Sequence, residues 1–187
     1  MLRWITPPLA LAVLLAAAAA RAQPDYGRPG VSMQVGASIG IPVEDGDAEG
    51  GFNARIGYRF LPHLAVDVHG EYFPTYHVAR PILGFDRLVR TGLGVRTPLL
   101  TGRIQPYLET GVDAFVLIGS EAANSDLAVP LGGGVDFYVL ENLFLNVDAV
   151  YVFHTDAFDG GSAEGTLQAL GLDLDYVSIQ LGLGVRF

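Results

Sequence analysis

The sequence predicts an all-β protein, an eight-stranded antiparallel up-and-down transmembrane β-barrel. Three observations predict this class: apolar and polar residues alternate along eight segments, the connections between the segments alternate in length, and the charged residues of the segments share one face. The 187 residues include 24 glycines and no cysteine, and their mean hydropathy is +0.36. This composition is typical of one compact, unusually apolar domain without disulfides.

The N-terminal residues have the parts of a secretory signal peptide. A short basic region, Met1-Leu2-Arg3, precedes an unbroken apolar run from Leu9 to Ala20, and small residues flank Arg21. The run is too short for a membrane-spanning helix, which needs about 20 residues. We therefore expect residues 1–22 to be a signal peptide cleaved near Ala22, and residues 23–187 to form the barrel domain.

The alternation is clearest at the end of the chain. From Tyr176 to Phe187 every odd-numbered residue is apolar, whereas the even-numbered ones are Tyr, Ser, Gln, Gly, Gly and Arg. This period of two predicts a strand with one apolar face. Similar patterns predict the other seven strands over residues 31–41, 52–60, 64–73, 88–97, 104–116, 127–139 and 143–153.

The connections between these strands alternate between short and long. Residues 61–63, 98–103 and 140–142 form short connections, whereas 42–51, 74–87, 117–126 and 154–175 are longer and rich in Gly, Asp, Glu, Ser and Pro. Short turns at one end and long loops at the other are typical of bacterial outer-membrane barrels. We therefore predict short periplasmic turns and longer extracellular loops.

Charge separates the two faces of the predicted strands. One face carries no charged residue, and we assign it to lipid. A soluble lipocalin-type barrel would turn that face inward, but its outer face would normally be dense in Lys and Glu, and this chain has no Lys. The other face is therefore assigned to the lumen, where we predict an ion-pair network of Arg55, Arg59, Asp67, His69, Glu71, Arg90, Arg96, Glu109, Asp113, Asp136, Asp148 and Arg186.

Hairpin geometry predicts partners within this network. The turn at 61–63 sets Arg55 opposite His69, with Asp67 and Glu71 as diagonal neighbours. Because an eight-stranded barrel is only just wide enough for its own side chains, we expect paired guanidinium groups to close it.

The next hairpin predicts a similar arrangement. Pairing Arg96 with Gln105 sets Arg90 diagonal to Glu109 and Asp113. Both hairpins would then hold an arginine between two carboxylates.

The final residues carry a recognisable motif. Gln180, Gly182, Val185 and Phe187 occupy the polar, glycine, apolar and terminal aromatic positions of the outer-membrane assembly signal. With the alternation, the chain resembles the small eight-stranded outer-membrane β-barrel family, which includes OmpX and the transmembrane domain of OmpA. The resemblance implies a Gram-negative cell outer membrane, insertion by the barrel-assembly machinery, and contact with outer-membrane lipid and lipopolysaccharide; it implies no catalytic residue.

Other chemistry has weaker support in the sequence. His154-Thr155-Asp156 lies at the predicted outer rim, where lipid-modifying enzymes use Ser, His and an acid, but its spacing matches no hydrolase pattern and a solvated loop histidine is favoured. The acidic run 44–49 lacks a full Ca²⁺-loop pattern, so no metal or cofactor is predicted. A net charge of -9 excludes a basic nucleic-acid surface.

Two function classes remain open. The favoured one is a structural or surface-interaction barrel with a closed lumen, whose long loops face an unidentified extracellular ligand. The alternative is a porin-like narrow pore or hydrophobic-solute channel, which the glycine-rich inner face would permit. A lipid-modifying enzyme is third.

Overall fold

The computed structural model describes residues 25–43, 47–76, 85–119, 123–155 and 175–187. Within these ranges every regular element is a strand, and no helix is long and apolar enough to span a membrane. The strands are β1 (Gly30–Pro42), β2 (Glu49–Leu61), β3 (Leu64–Phe73), β4 (Phe85–Pro98), β5 (Ile104–Gly119), β6 (Ala123–Tyr138), β7 (Leu143–Thr155) and β8 (Tyr176–Arg186). The predicted signal peptide lies outside the described residues.

The eight strands form one closed antiparallel barrel in chain order, which confirms the predicted fold class. Each strand pairs with its neighbours in sequence, and β1 closes the barrel against β8, with Ser32 opposite Arg186. The connections after β2, β4 and β6 lie at one end, called here the short-turn end, and those after β1, β3, β5 and β7 lie at the opposite end, called here the long-loop end. The prediction of a long connection over residues 117–126 is wrong, because β5 extends to Gly119 and β6 begins at Ala123. Closure leaves no free sheet edge, so backbone groups are paired around the circumference.

The assignment of the two faces is confirmed. Outward positions are mostly apolar and exposed: Leu93 is 67% exposed and Leu181 60%, whereas the next residue along β8, Gly182, is buried. All twelve residues predicted for the lumen are buried. Because side chains alternate along a strand, this one-residue difference separates the lipid face from the interior.

The β2–β3 hairpin has the predicted register, with Arg55 opposite His69. The predicted register of the β4–β5 hairpin is wrong, because Arg96 pairs with Glu109 instead of Gln105, and Arg90 lies opposite Phe115. The pairing of β4 with β5 ends at Pro98 and Tyr107, and the backbone amide of Leu99 donates to the carbonyl of Pro106 just beyond it.

The difference has a simple cause in strand length. The first three residues of β5, from Ile104 to Pro106, extend past the end of β4 and have strand partners only on β6. The turn is therefore centred further along the chain than a tight connection would be. This frees Gln105 to reach the short-turn opening of the lumen.

Candidate functional site in the barrel lumen

Arg55 lies at the centre of the charged lumen. Its guanidinium contacts Glu109 at 3.1 Å, and both Asp67 and Asp148 at 3.5 Å. The predicted contact of Arg55 with Asp67 is confirmed, whereas the predicted contact with Glu71 is not among those of Arg55. A long side chain in a narrow barrel reaches strands across the lumen, so proximity along the hairpin does not fix its partners.

Glu71 belongs instead to a second cluster nearer the long-loop end. Arg90 donates to it at 3.0 Å, and the hydroxyls of Ser178 and Tyr176 donate to it at 2.5 and 3.1 Å. Arg90 also approaches Asp113 at 3.5 Å and is only 1% exposed. This cluster joins β3, β4, β5 and β8 through buried charge-assisted bonds.

His69 connects the two clusters. Its Nδ1 lies 2.9 Å from Asp67, and its Nε2 lies 2.9 Å from Asp113. Because a carboxylate ion only accepts hydrogen bonds, this geometry fits an imidazolium that donates from both nitrogens. The imidazolium charge would also offset the excess of carboxylates among the predicted lumen residues, which comprise five arginines and six carboxylates.

Arg96 forms a third cluster nearer the short-turn end. It contacts Asp136 at 3.2 Å and Glu109 at 3.6 Å, and its guanidinium carbon lies 3.6 Å from the centre of the Tyr107 ring. Asn146 donates to both Asp136 and the Tyr107 hydroxyl, each at 2.8 Å. The cluster joins four strands, because Tyr107 and Glu109 lie on β5 and the other three side chains lie on β4, β6 and β7.

Arg59 and Arg186 differ from the prediction. Both are buried in the lumen, but neither forms an ion pair with a described carboxylate. Both donate instead to the backbone carbonyl of Tyr26, which also accepts from Gln105. The segment before β1 therefore lies against the short-turn opening, and Tyr26 stacks on Tyr138 with ring centres 4.9 Å apart.

An apolar cluster fills the long-loop end of the lumen and was not predicted. It consists of Phe73, Tyr76, Leu88, Phe115, Leu117, Ala128, Val150, Val152 and Tyr176, all almost fully buried. The signal was present in the sequence, because Val150 and Val152 continue the inward positions of Asp148. The alternation fades there since the flanking outward residues are apolar too, so both faces look alike.

Glycines leave room for the larger lumen side chains. A Cβ atom added at Gly94 would lie 2.8 Å from Asp67, and one at Gly184 would overlap the ring of Phe144. The expectation that the glycine-rich inner face accommodates side chains from neighbouring strands is met at these positions.

The rim residues considered for catalysis lie near the apolar cluster. His154 approaches Asp175 at 3.4 Å through Nδ1, and its ring packs edge-on against Phe115 with centres 4.2 Å apart. Asp156 lies outside the described residues. In the acidic run 44–49, residues 44–46 also lie outside them, and Glu49 is buried and accepts from Thr75.

A family profile decides how this barrel is classified. The profile described as "Outer membrane protein beta-barrel domain" matches residues 9–187. The chain belongs to this family of outer-membrane β-barrels. Membership supports a location in the outer membrane, where the exposed apolar belt contacts lipid.

Solved structures agree on the fold. The N-terminal β-barrel domain of OprF from Pseudomonas aeruginosa is 14% identical, with 86% of this chain and 100% of that chain covered at a TM-score of 0.59. OprG from the same organism is 13% identical over 88% and 99%, with a TM-score of 0.60. Ail of Yersinia pestis is 18% identical over 86% and 99%, with a TM-score of 0.53. No curated protein matches the chain.

The residues of the assembly motif lie on β8 and at its end. Gln180 and Gly182 face the lumen, Val185 is half-buried, and Phe187 is 68% exposed on the outside. The backbone amide of Phe187 donates to the carbonyl of Val31, so the terminal residue is held at the seam between β8 and β1.

Proposed function

We propose that this protein is a closed, non-enzymatic outer-membrane barrel with a structural or surface-interaction role. The observation that carries the proposal is the filled lumen. Ion-paired side chains occupy its centre and an apolar cluster occupies its long-loop end. An eight-stranded barrel has little interior volume beyond that of its own side chains, so we expect these two layers of described residues to block hydrated ions.

The two layers oppose conduction for different reasons. An ion entering the centre would have to break contacts such as Arg90 with Glu71, which are shielded from water. An ion entering from the long-loop end would have to pass Phe73, Leu88 and Val152, which offer no polar group.

Planar-bilayer recording of the purified protein tests the proposal. We expect negligible conductance from the unmodified barrel and an increase in Glu109→Ala, which removes a carboxylate shared by Arg55 and Arg96. Arg28→Ala is the matched control, because Arg28 is exposed outside the lumen. Steady, well-resolved channels from the unmodified protein would refute a closed lumen.

The long loops are the proposed contact surface. The described residues at their bases include Asp47, Asp86 and Asp126, with Arg87 beside Asp86 at 3.1 Å. Ail was solved with a heparin analogue, a sulfated sugar. Acidic loop bases do not favour such a polyanion here, so we propose a neutral or cationic ligand, and contact with lipopolysaccharide through bridging divalent cations.

Location and maturation complete the proposal. We propose that residues 1–22 are removed near Ala22 and that the barrel-assembly machinery inserts the remainder. The protein is then expected in the outer-membrane fraction, migrating differently on a detergent gel before and after boiling. Recovery from the soluble periplasmic fraction would contradict this.

A hydrophobic-solute channel is the second candidate, and the apolar cluster is the observation that favours it. Its members line the lumen beside Tyr176, where a small apolar solute would find a water-poor environment. Liposome uptake of such a solute, abolished by Val152→Arg and retained by the outward variant Phe153→Ala, would favour this candidate over a closed barrel.

A further inference from the structure

The short-turn end of the lumen contains a small cavity that is partly open to the outside. Its volume is about 20 Å³, enough to hold a water molecule or a small ion. Three guanidinium groups line it, those of Arg59, Arg96 and Arg186, together with Asp136 and Tyr138.

Positive charge exceeds negative charge around this cavity. Its one carboxylate, Asp136, is already engaged by Arg96 at 3.2 Å and by Asn146 at 2.8 Å. Among the described residues, Arg59 donates only to uncharged oxygens, those of Tyr26 and Gln105. Buried positive charge that is paired only with neutral acceptors remains uncompensated, and this is unfavourable away from water.

Arg186 has unused donors at the same place. It is 3% exposed, and one terminal nitrogen, Nη1, donates to the Tyr26 carbonyl and the Tyr138 hydroxyl. Its Nε and Nη2 are buried and have no hydrogen-bond partner among the described residues. Buried guanidinium N–H groups nearly always have an acceptor, so the two unused donors point to a ligand that accepts.

We propose that this cavity binds one monoatomic anion, chloride in the cell envelope, through Nε and Nη2 of Arg186 with the charge of Arg59 beside it. Water would satisfy the donors but leave the excess charge, whereas an anion does both. The small volume favours a monoatomic anion over the larger phosphate and sulfate ions. Binding here would also hold the Tyr26 segment against the barrel, because the same two arginines donate to its carbonyl. The site is independent of whether the barrel conducts.

Urea unfolding of the refolded protein in lipid vesicles tests the site. Chloride replaces gluconate from about 10 to about 300 mM at constant ionic strength, and for a Kd of about 20 mM the folded-to-unfolded ratio rises about tenfold. Arg186→Gln is expected to abolish this rise. Arg28→Gln removes an exposed charge at the same end and is expected to keep it.

The outcomes separate a site from a general salt effect. No response to chloride in the unmodified protein, or equal loss of the response in Arg186→Gln and Arg28→Gln, would overturn the proposal. An equal rise with acetate or phosphate would overturn the assignment to a monoatomic anion.

A second measurement does not depend on any variant folding. Crystals of the unmodified protein grown in sodium bromide should give an anomalous peak beside Arg186 Nε and Nη2. A peak absent from the cavity would refute the site even if Arg186→Gln fails to refold.

Discussion

Replacing Arg55 by alanine should strongly destabilise the barrel. Arg55 is 6% exposed and is the shared partner of Asp67, Glu109 and Asp148. Removing one member of a buried ion pair costs about 3–5 kcal/mol, because the remaining charge stays buried without its partner. Asp148 loses its only ion-pair partner among the described residues, whereas Asp67 keeps His69 and Glu109 keeps Arg96, so we expect a cost within that range.

The assay is equilibrium urea unfolding in lipid vesicles, followed by far-ultraviolet circular dichroism. Trp4 is the only tryptophan and lies in the expected signal peptide, so tryptophan fluorescence would not report on the mature barrel. Arg28→Ala serves as the control, since an exposed charge with no lumen contact should change the free energy of unfolding by less than about 0.5 kcal/mol.

A compensating variant distinguishes charge from packing. Adding Asp148→Asn to Arg55→Ala removes the carboxylate whose only ion pair among the described residues is with Arg55, and we expect at least about 1 kcal/mol to be recovered. Arg55→Ala within about 0.5 kcal/mol of the unmodified protein would refute the reasoning that buried charge pairing holds the centre of the lumen. If Asp148→Asn recovers no stability, the loss in Arg55→Ala is due to packing rather than to unpaired charge.

Three further predictions test the faces, the apolar cluster and the chain end. Leu181→Arg should cost about 2–4 kcal/mol in the same titration, because its side chain faces lipid, whereas Gln180→Arg should cost less because it faces Asp148; equal costs would mean the faces are misassigned. Phe115→Ala should cost about 3–5 kcal/mol by opening a cavity in the apolar cluster, and a neutral result would mean that this region is loosely packed. Deleting Phe187 should lower the amount of folded barrel in the outer-membrane fraction, while Phe187→Tyr restores it; normal yield from the deletion would make the motif match coincidental.

The faces of the barrel were readable from sequence because side-chain direction alternates strictly along a strand. Once Leu181 is outward, Gln180 and Gly182 must face inward, whatever the rest of the fold does. The same rule correctly placed the charged side chains in the lumen. The short turn at 61–63 also fixed the β2–β3 register, since little chain was available to shift it.

The rule weakened where both faces are apolar. Near the long-loop ends of β5 and β7, inward Phe115 and Val150 stand next to outward Val116 and Tyr151, so composition does not distinguish interior from lipid. Counting alternate residues along each strand does distinguish the inward from the outward positions there, whereas residue polarity does not.

Partner choice inside the lumen was decided only by the tertiary structure. The β4–β5 register depended on how far β5 extends along β6, which no local pattern at residues 98–103 records. Arg55 reaches Asp148 on β7 because closure of the barrel brings distant strands within one side-chain length of each other. The sequence by itself determined which residues face inward, through the two-residue period of the strand. Barrel closure and strand stagger decided which inward residues contact each other, because the contacting residues are far apart in the sequence.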